Sequence, residues 1–315
     1  LAKALRNPAI VAKIEAAEIS SIIKKPVKVM WTREDDMGGG IYRPAARYHF
    51  KAGLDASGNM IAFYLRGVGI NAGNATRQDN FPVGAIENVL VESVNQVSAV
   101  TTGPWRAPIT NFLGYAEQAF LDEVAEAGGK DPVQMRLDWL ARVKSNPVGK
   151  ITYEPDRFIE EIKQATEKSN WKKKPGVHQG FSVYFSHLSY VAQVADAQMV
   201  DGKAKITHVT AVTDCGEVVN LSGAENQIKG AIIDGMGHAL FAKLRFNDGV
   251  ASPTNFNGYR LIKGNEIPTI NAYFVDNGIE PTGLGEPALP PTGGSIANAL
   301  YAATKKRLYK QPFEV

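Results

Sequence analysis

"FSVYFSHLSYVAQVADAQMVDGKAKITHVTAVTD", Phe181 to Asp214, holds three β-prone runs. Asp201-Gly202 lies between the second and third, and an Asp-Gly pair in that setting marks a tight hairpin. "AENQIKGAIIDGMGHALFAKL" follows and reads as a helix. A meander of strands with separate helices, not a regular βαβ alternation, gives the class α+β.

The pattern extends in both directions. Upstream, "DRFIEEIKQATEKSN" is amphipathic at helical spacing, and "SNPVGKITYEPD" reads as a linker. Leu113, Ala116, Ala119, Phe120, Val124 and Ala127 keep helical spacing until Gly128-Gly129 stops them. Asp131-Pro132 opens the next helix, with the acid as N-cap and proline at the first position. "ARYHFKAGLDASGNMIAFYLRGVGI" reads as a hairpin about Asp55–Asn59, and "VLVESVNQVSAVTTG" as strand. Before them, Ile10, Ile14, Ala17, Ile19, Ile22 and Ile23 predict a helix ending before Pro26. "PVKVMWT" then reads as β-rich, and Arg33 to Asp36 as a charged turn. Downstream, "TINAYFV" is strand-like. "GGSIANALYAATKKRLYK" reads as a helix with basic residues toward its C-terminus, where the helix dipole favours them.

The 315 residues carry a net charge of +3, with 44% apolar and 21% charged residues. No apolar run approaches the length of a membrane-spanning helix. Basic residues are scattered. The only short run, Lys172 to Lys174, reads as a solvated loop, so no nucleic-acid-binding stripe is present. Cys215 is the only cysteine, which excludes an intrachain disulfide framework and an iron–sulfur cluster held by four cysteines of this chain. The five histidines form no zinc-hydrolase pattern, and no protein ligand to a metal is predicted. His49 and His208 fall in strands. There is no G-x-G-x-x-G dinucleotide fingerprint and no G-x-S-x-G elbow.

Three segments could carry chemistry. In "TTGPWRAP", prolines on both sides restrict the backbone around Arg106. The guanidinium then suits an anion, a stack on Trp105 or a carboxylate partner. "TDCGEVVN" leaves a strand through a turn, and the helix after it carries Gln227, Gly230, Gly235 and Gly237. Each helix glycine costs about 1 kcal/mol against alanine, so the helix is read as meeting either a close backbone or a bulky ligand. In "GLGEPALPPTGGSIAN", Glu286 sits between Gly285 and Pro287, ahead of a helix expected to begin near Thr292 to Ser295. The free N–H groups of such a start would favour an anion. The acid reads as an exposed turn residue or as a base held over a cofactor.

Together, "KPVKVMWTREDDMGGGIYRPA", "GPWRAP", "DEVAEAGGKDPVQMR", "SYVAQVA", "VTDCGEVVN" and "GLGEPALPP…ANALYAAT" resemble, in order, segments of the molybdenum-binding large subunit of the xanthine oxidase family. The isoquinoline 1-oxidoreductase beta subunit and its aldehyde dehydrogenase relatives are the most similar. The resemblance implies a molybdopterin-binding fold of mixed sheets and packed helices. It implies a molybdopterin cofactor, in its cytosine dinucleotide form, holding molybdenum, with [2Fe-2S] clusters on a separate small subunit. It also implies oxidation of an N-heteroaromatic compound or an aldehyde with water as the oxygen source.

In that family the glutamate of the "GxGE" turn deprotonates the metal-bound hydroxyl, and Glu286 occupies its position. Arg106, Gln227, Gly294 and Ser295 match residues on the cofactor side. The expected partners are the iron–sulfur subunit, a small-molecule substrate and, as electron acceptor, a cytochrome c. Residues 1–147 would form a first, N-terminally truncated sub-domain and 148–315 the C-terminal one carrying the "GxGE" turn. The family's "GGGFGR" and "GEMGQG" segments are missing, so the chain is expected to be the C-terminal part of a longer subunit and inactive alone. The sequence does not assign it to periplasm or cytoplasm. A non-catalytic assembly or binding domain of the same fold is the alternative.

Overall fold

The computed structural model describes residues 8–314, so Leu1 to Asn7 of the expected first helix lie outside the described residues. Helix α1 (Pro8–Ile23) follows the predicted spacing, but Ile19, Ile22 and Ile23 face solvent. "PVKVMWT" is extended and pairs with no strand, so the β-rich run forms no sheet. The expected charged turn is instead a short helix, α2 (Arg33–Gly38). Thr32 and Asp35 explain it: the Thr32 hydroxyl accepts the Asp35 N–H, and the Asp35 carboxylate accepts the Thr32 N–H at 2.9 Å, a reciprocal capping box.

β1 (Ala46–Leu54) and β2 (Met60–Ile70) form the predicted antiparallel hairpin. Its turn is organised by Asp55, whose Oδ1 accepts the N–H groups of Ser57 and Asn59, each at 2.8 Å. β3 (Asn88–Gln96) adds parallel to β2. Helices α3 (Thr110–Ala127), α4 (Pro132–Ser145) and α5 (Pro155–Ser169) follow. Asp131 caps α4 as expected, accepting from the N–H groups of Val133 and Gln134. The Lys172 to Lys174 run is a loop as expected, in which Lys172 pairs with Asp131 and Lys174 with Asp196, the latter at 2.7 Å.

The predicted meander is β4 (His178–Ser186), β5 (Ser189–Val200) and β6 (Lys203–Asp214), antiparallel throughout. Asp201 and Gly202 turn it with φ of 52° and 74°, both left-handed as a two-residue hairpin requires. Helix α6 (Leu221–Leu240) starts on Asn220, whose side chain accepts the Gly223 N–H at 2.8 Å. A small hairpin, β7 (Arg245–Asn247) and β8 (Val250–Ser252), leads to β9 (Thr269–Phe274), which joins the second sheet parallel to β6 in the order β4-β5-β6-β9. The architecture is α+β.

Helix α7 (Leu289–Thr304) is the centre of the molecule, with every residue from Leu289 to Leu300 buried. A helix enclosed on all sides needs small residues where neighbours cross it. Gly294 lies against Gln118 of α3 and Ser182 of β4, and a Cβ there would stand 2.6 Å from the Gln118 Cβ. Gly180 of β4 meets the backbone of Ser295 and Ala299 so closely that any Cβ would overlap it.

Two expectations about α7 are corrected. It starts at Leu289, several residues before Thr292, because Pro290 and Pro291 fit a first helical turn and need no N–H acceptor. It ends at Thr304, with Lys305 left-handed at φ 59°, so the basic residues follow the helix instead of lying in its last turn. Both buried core clusters draw on residues from either side of position 147: Trp139 with Phe158 and Val194 in one, Tyr115 with Ile232 and Ile296 in the other. Among the described residues no helix is long and apolar enough to cross a membrane.

Candidate active site

Four chain segments converge at the entrance to α7. The first is "WRAP". Arg106 Nε donates to the Gly285 carbonyl at 2.7 Å, and its Nη2 donates to the Gln227 backbone and side-chain oxygens at 3.0 and 3.2 Å. One guanidinium thus joins the loop before α3, helix α6 and the turn holding Glu286. It neither stacks on Trp105 nor pairs with a carboxylate.

The arginine over Trp105 is Arg43, 5.9 Å from that ring and 5.6 Å from Phe112. Its Nη1 donates to the Arg106 carbonyl at 3.1 Å. Its Nη2 is buried with no acceptor among the described residues. Burial pushes the Arg43 guanidinium down to about 10, against the opposing pull of Asp234, Tyr259 and Glu286. Burial lowers Arg106 too, and the same two carboxylates oppose it. Burial raises the Asp234 carboxyl, but contact with His238 Nε2 at 3.1 Å and the charges of Arg43 and Arg106 outweigh that and hold it below the ordinary range.

The helix glycines divide by role. A Cβ on Gly235 would stand 2.8 Å from Thr292, so this glycine lets α6 pack on α7. Gly230 faces Arg106, whose Nη1 lies 3.7 Å from where a Cβ would be. Nothing comes within 4 Å of the corresponding point on Gly237.

The Glu286 turn is held from behind. Thr282 N–H donates to the Cys215 carbonyl at 2.8 Å, and Glu217 N–H to the Ile279 carbonyl at 2.9 Å, so the "TDCGE" segment runs along the chain that leads to Glu286. Asp214 is anchored by Arg157, whose Nε and Nη2 each donate at 2.8 Å, and by Asn277. Burial pushes the Cys215 thiol up to about 11, so it is a packing residue at neutral pH.

The tip of the β4–β5 hairpin closes the other side. Gly283 N–H donates to the His187 carbonyl at 3.0 Å, and the Ser189 hydroxyl lies 2.6 Å from that of Thr282. His187 Nε2 then stands 3.0 Å from Glu286 Oε2.

Of the residues expected at the site, Arg106, Gln227 and Glu286 come together. Gly294 and Ser295 do not join them. Both are buried inside α7, where Ser295 Oγ donates to the Thr292 carbonyl at 3.0 Å. The early start of α7 also removes the expected anion site, because the N–H groups of Thr292 to Ser295 lie within the helix. Arg43, His187 and Asp234 were not foreseen. His187-Leu188 carried a signal, since a two-residue hairpin loop without glycine, asparagine or aspartate is unusual.

Residues 125–268 match the molybdopterin cofactor-binding domain. That stretch carries the molybdopterin cofactor-binding domain found in the xanthine oxidase family. It is 25% identical to one of the subunits of nicotinate dehydrogenase from Pseudomonas putida, over 95% of this chain and 28% of that protein. It is 24% identical to the beta subunit of isoquinoline 1-oxidoreductase from Brevundimonas diminuta, over 96% of this chain and 40% of that protein. The chain therefore spans well under half the length of these curated relatives. Its fold is that of quinoline 2-oxidoreductase from Pseudomonas putida 86, with a TM-score of 0.76 at 13% identity over 95% of this chain and 65% of that one. The Cu,Mo-CO dehydrogenase shares it, with a TM-score of 0.74 at 10% identity over 93% of this chain and 63% of that one.

Proposed function

We propose that the chain forms one wall of the active site of a molybdenum hydroxylase, with Glu286 as the proton acceptor. The enzyme would oxidise an N-heteroaromatic compound or an aldehyde with water as the oxygen source, and pass electrons to a small [2Fe-2S] subunit. The observation that carries the reading is the Arg106 bridge, which brings Gln227 and the Glu286 turn together around one guanidinium.

The residues fit an anionic cofactor. Arg43 Nη2 is a buried donor without an acceptor among the described residues, and Arg106 beside it adds a second guanidinium. Such donors suit phosphate and pterin oxygens. Arg43, Arg106 and Gln227 would hold the cofactor, while Gly294 and Ser295 would act only through the packing of α7. When bound, the molybdenum cofactor would supply the two-electron oxidation, in molybdopterin cytosine dinucleotide form.

The remaining work belongs to the chain. Arg106 fixes the Gly285 carbonyl and so aims the next side chain. Glu286 is about one-third exposed, open enough to meet a substrate and fixed enough to act as a base. The guanidinium groups of Arg43 and Arg106 lie near enough to feel its charge.

The test is to produce the complete subunit with its small iron–sulfur partner in a host that makes the cofactor, and to measure molybdenum and pterin per subunit. Stoichiometric molybdenum in the wild type, lost in Arg106→Ala with the fold intact, supports the reading. A wild-type subunit that stays metal-free under those conditions contradicts it.

A further inference from the structure

We propose that His187 is the proton outlet of Glu286, carrying to solvent the proton that the carboxylate takes up. The inference rests on the reading of Glu286 as the base.

Geometry puts the two groups within transfer reach, with His187 Nε2 3.0 Å from Glu286 Oε2. Exposure rises along the pair, from 33% for the Glu286 side chain to 48% for His187, so the ring connects the turn to bulk water. The other charged groups of the site cannot serve. Arg43 and Arg106 hold their protons throughout the working range. Asp234 is already engaged by His238.

The backbone around His187 is held at a cost. His187 and Leu188 both sit in the left-handed region, at φ 55° and 61°, which non-glycine residues adopt at a cost. A two-residue hairpin requires both, and here the tip is also fastened to the Glu286 turn. Gly283 N–H donates to the His187 carbonyl, and Ser189 Oγ contacts both the Thr282 hydroxyl and the Gly283 carbonyl. Gly283 has to be glycine here, because a Cβ would stand 2.5 Å from that of His187. A tip fastened to the Glu286 turn, with an imidazole presented to the carboxylate, is an arrangement a plain turn does not need.

The step balances in protons alone. Glu286 carries the proton on Oε2 after uptake. That O–H bond breaks as Nε2 of the neutral ring forms N–H, and the Nδ1 proton passes to water. Solvent exchange then returns the ring to the Nδ1–H form.

Five histidines make ring-nitrogen labelling practical. Long-range 15N–1H spectra of the chain are expected to show the His187 Nε2 resonance moving in Glu286→Gln while that of His49 stays in place. An unmoved Nε2 overturns the pairing, whatever the activity. In the loaded complex, His187→Gln is expected to lower turnover about tenfold or more, with added imidazole restoring much of it. Turnover equal to wild type, or a loss that imidazole does not touch, overturns the outlet role. Should His187→Gln fail to fold, the spectra of Glu286→Gln still decide the pairing. Failure of the base reading shows separately, as a Glu286→Gln complex that keeps wild-type turnover.

Discussion

Arg106 and Gly285 are joined by a 2.7 Å hydrogen bond from Nε to the carbonyl, across most of the chain. The bond matters because the next residue is Glu286. Fixing a carbonyl fixes the peptide plane, and the plane sets the direction of the following side chain. The same guanidinium reaches Gln227, so helix α6 and the Glu286 turn are tied by one group.

Replacing that group is the first prediction. Arg106→Lys keeps the charge but cannot span Gly285 and Gln227 together, because an ammonium lacks the planar fork. Molybdenum content is expected to fall about tenfold, equivalent to roughly 1.4 kcal/mol of lost binding, with the circular-dichroism spectrum unchanged. Full occupancy in Arg106→Lys would show that the bridge does not hold the site.

Gly283 supplies the second. A Cβ at this position would lie 2.5 Å from the His187 Cβ and 2.9 Å from its carbonyl oxygen. Gly283→Ala is expected to push the Glu286 turn off the hairpin tip, costing about 1–3 kcal/mol of stability and more than tenfold in turnover. Thermal denaturation beside steady-state kinetics separates the two effects.

The third concerns the core. Gly180 faces the α7 backbone at Ser295 and Ala299 with no space for a methyl group. Backbone cannot give way as a flexible side chain can, so Gly180→Ala is expected to destabilise the chain by about 3 kcal/mol or more. A midpoint of denaturation within error of wild type would mean that β4 and α7 are not in contact.

The fourth is a pH dependence. Glu117 is buried in α3, and burial pushes its carboxyl up to about 8 from an ordinary 4.5. Below 4.5 the folded and unfolded states are both protonated at this site, so it has no effect there. Between 4.5 and about 8 only the unfolded state gives up the proton, so this group lowers stability as pH rises, by on the order of 1 kcal/mol per unit. Above that window the loss is constant. Glu117→Gln is expected to flatten this part of the stability–pH curve, as read by urea denaturation from pH 5 to about 9.

Much of the fold was legible because its signals are local. Asp55 and Asp201-Gly202 name their own hairpins, Asp131 caps its own helix, and Gly128 ends one. What could not be read depends on partners distant in sequence. "PVKVMWT" has strand-forming residues but no neighbouring strand to pair with. β3 and β9 join their sheets in parallel, which no turn announces. The small residues of α7 gave the same uncertainty at the site. Gly294 and Ser295 were expected on the cofactor side, and that they pack inside α7 depends on the crossing of α3 and β4. Arg106, Gln227 and Glu286 were singled out by the order of their motifs, and the fold brings the three segments together. His187 was not, because its meeting with Glu286 depends on how the β4–β5 tip docks on the turn.

The most direct test of the account is turnover of Glu286→Gln in the complete, cofactor-loaded complex. Glutamine keeps the size of the side chain and removes only its capacity to take a proton at neutral pH. The account predicts unchanged molybdenum content and a turnover number lower by about a hundredfold or more. A Glu286→Gln complex with full molybdenum and near-wild-type turnover would contradict it.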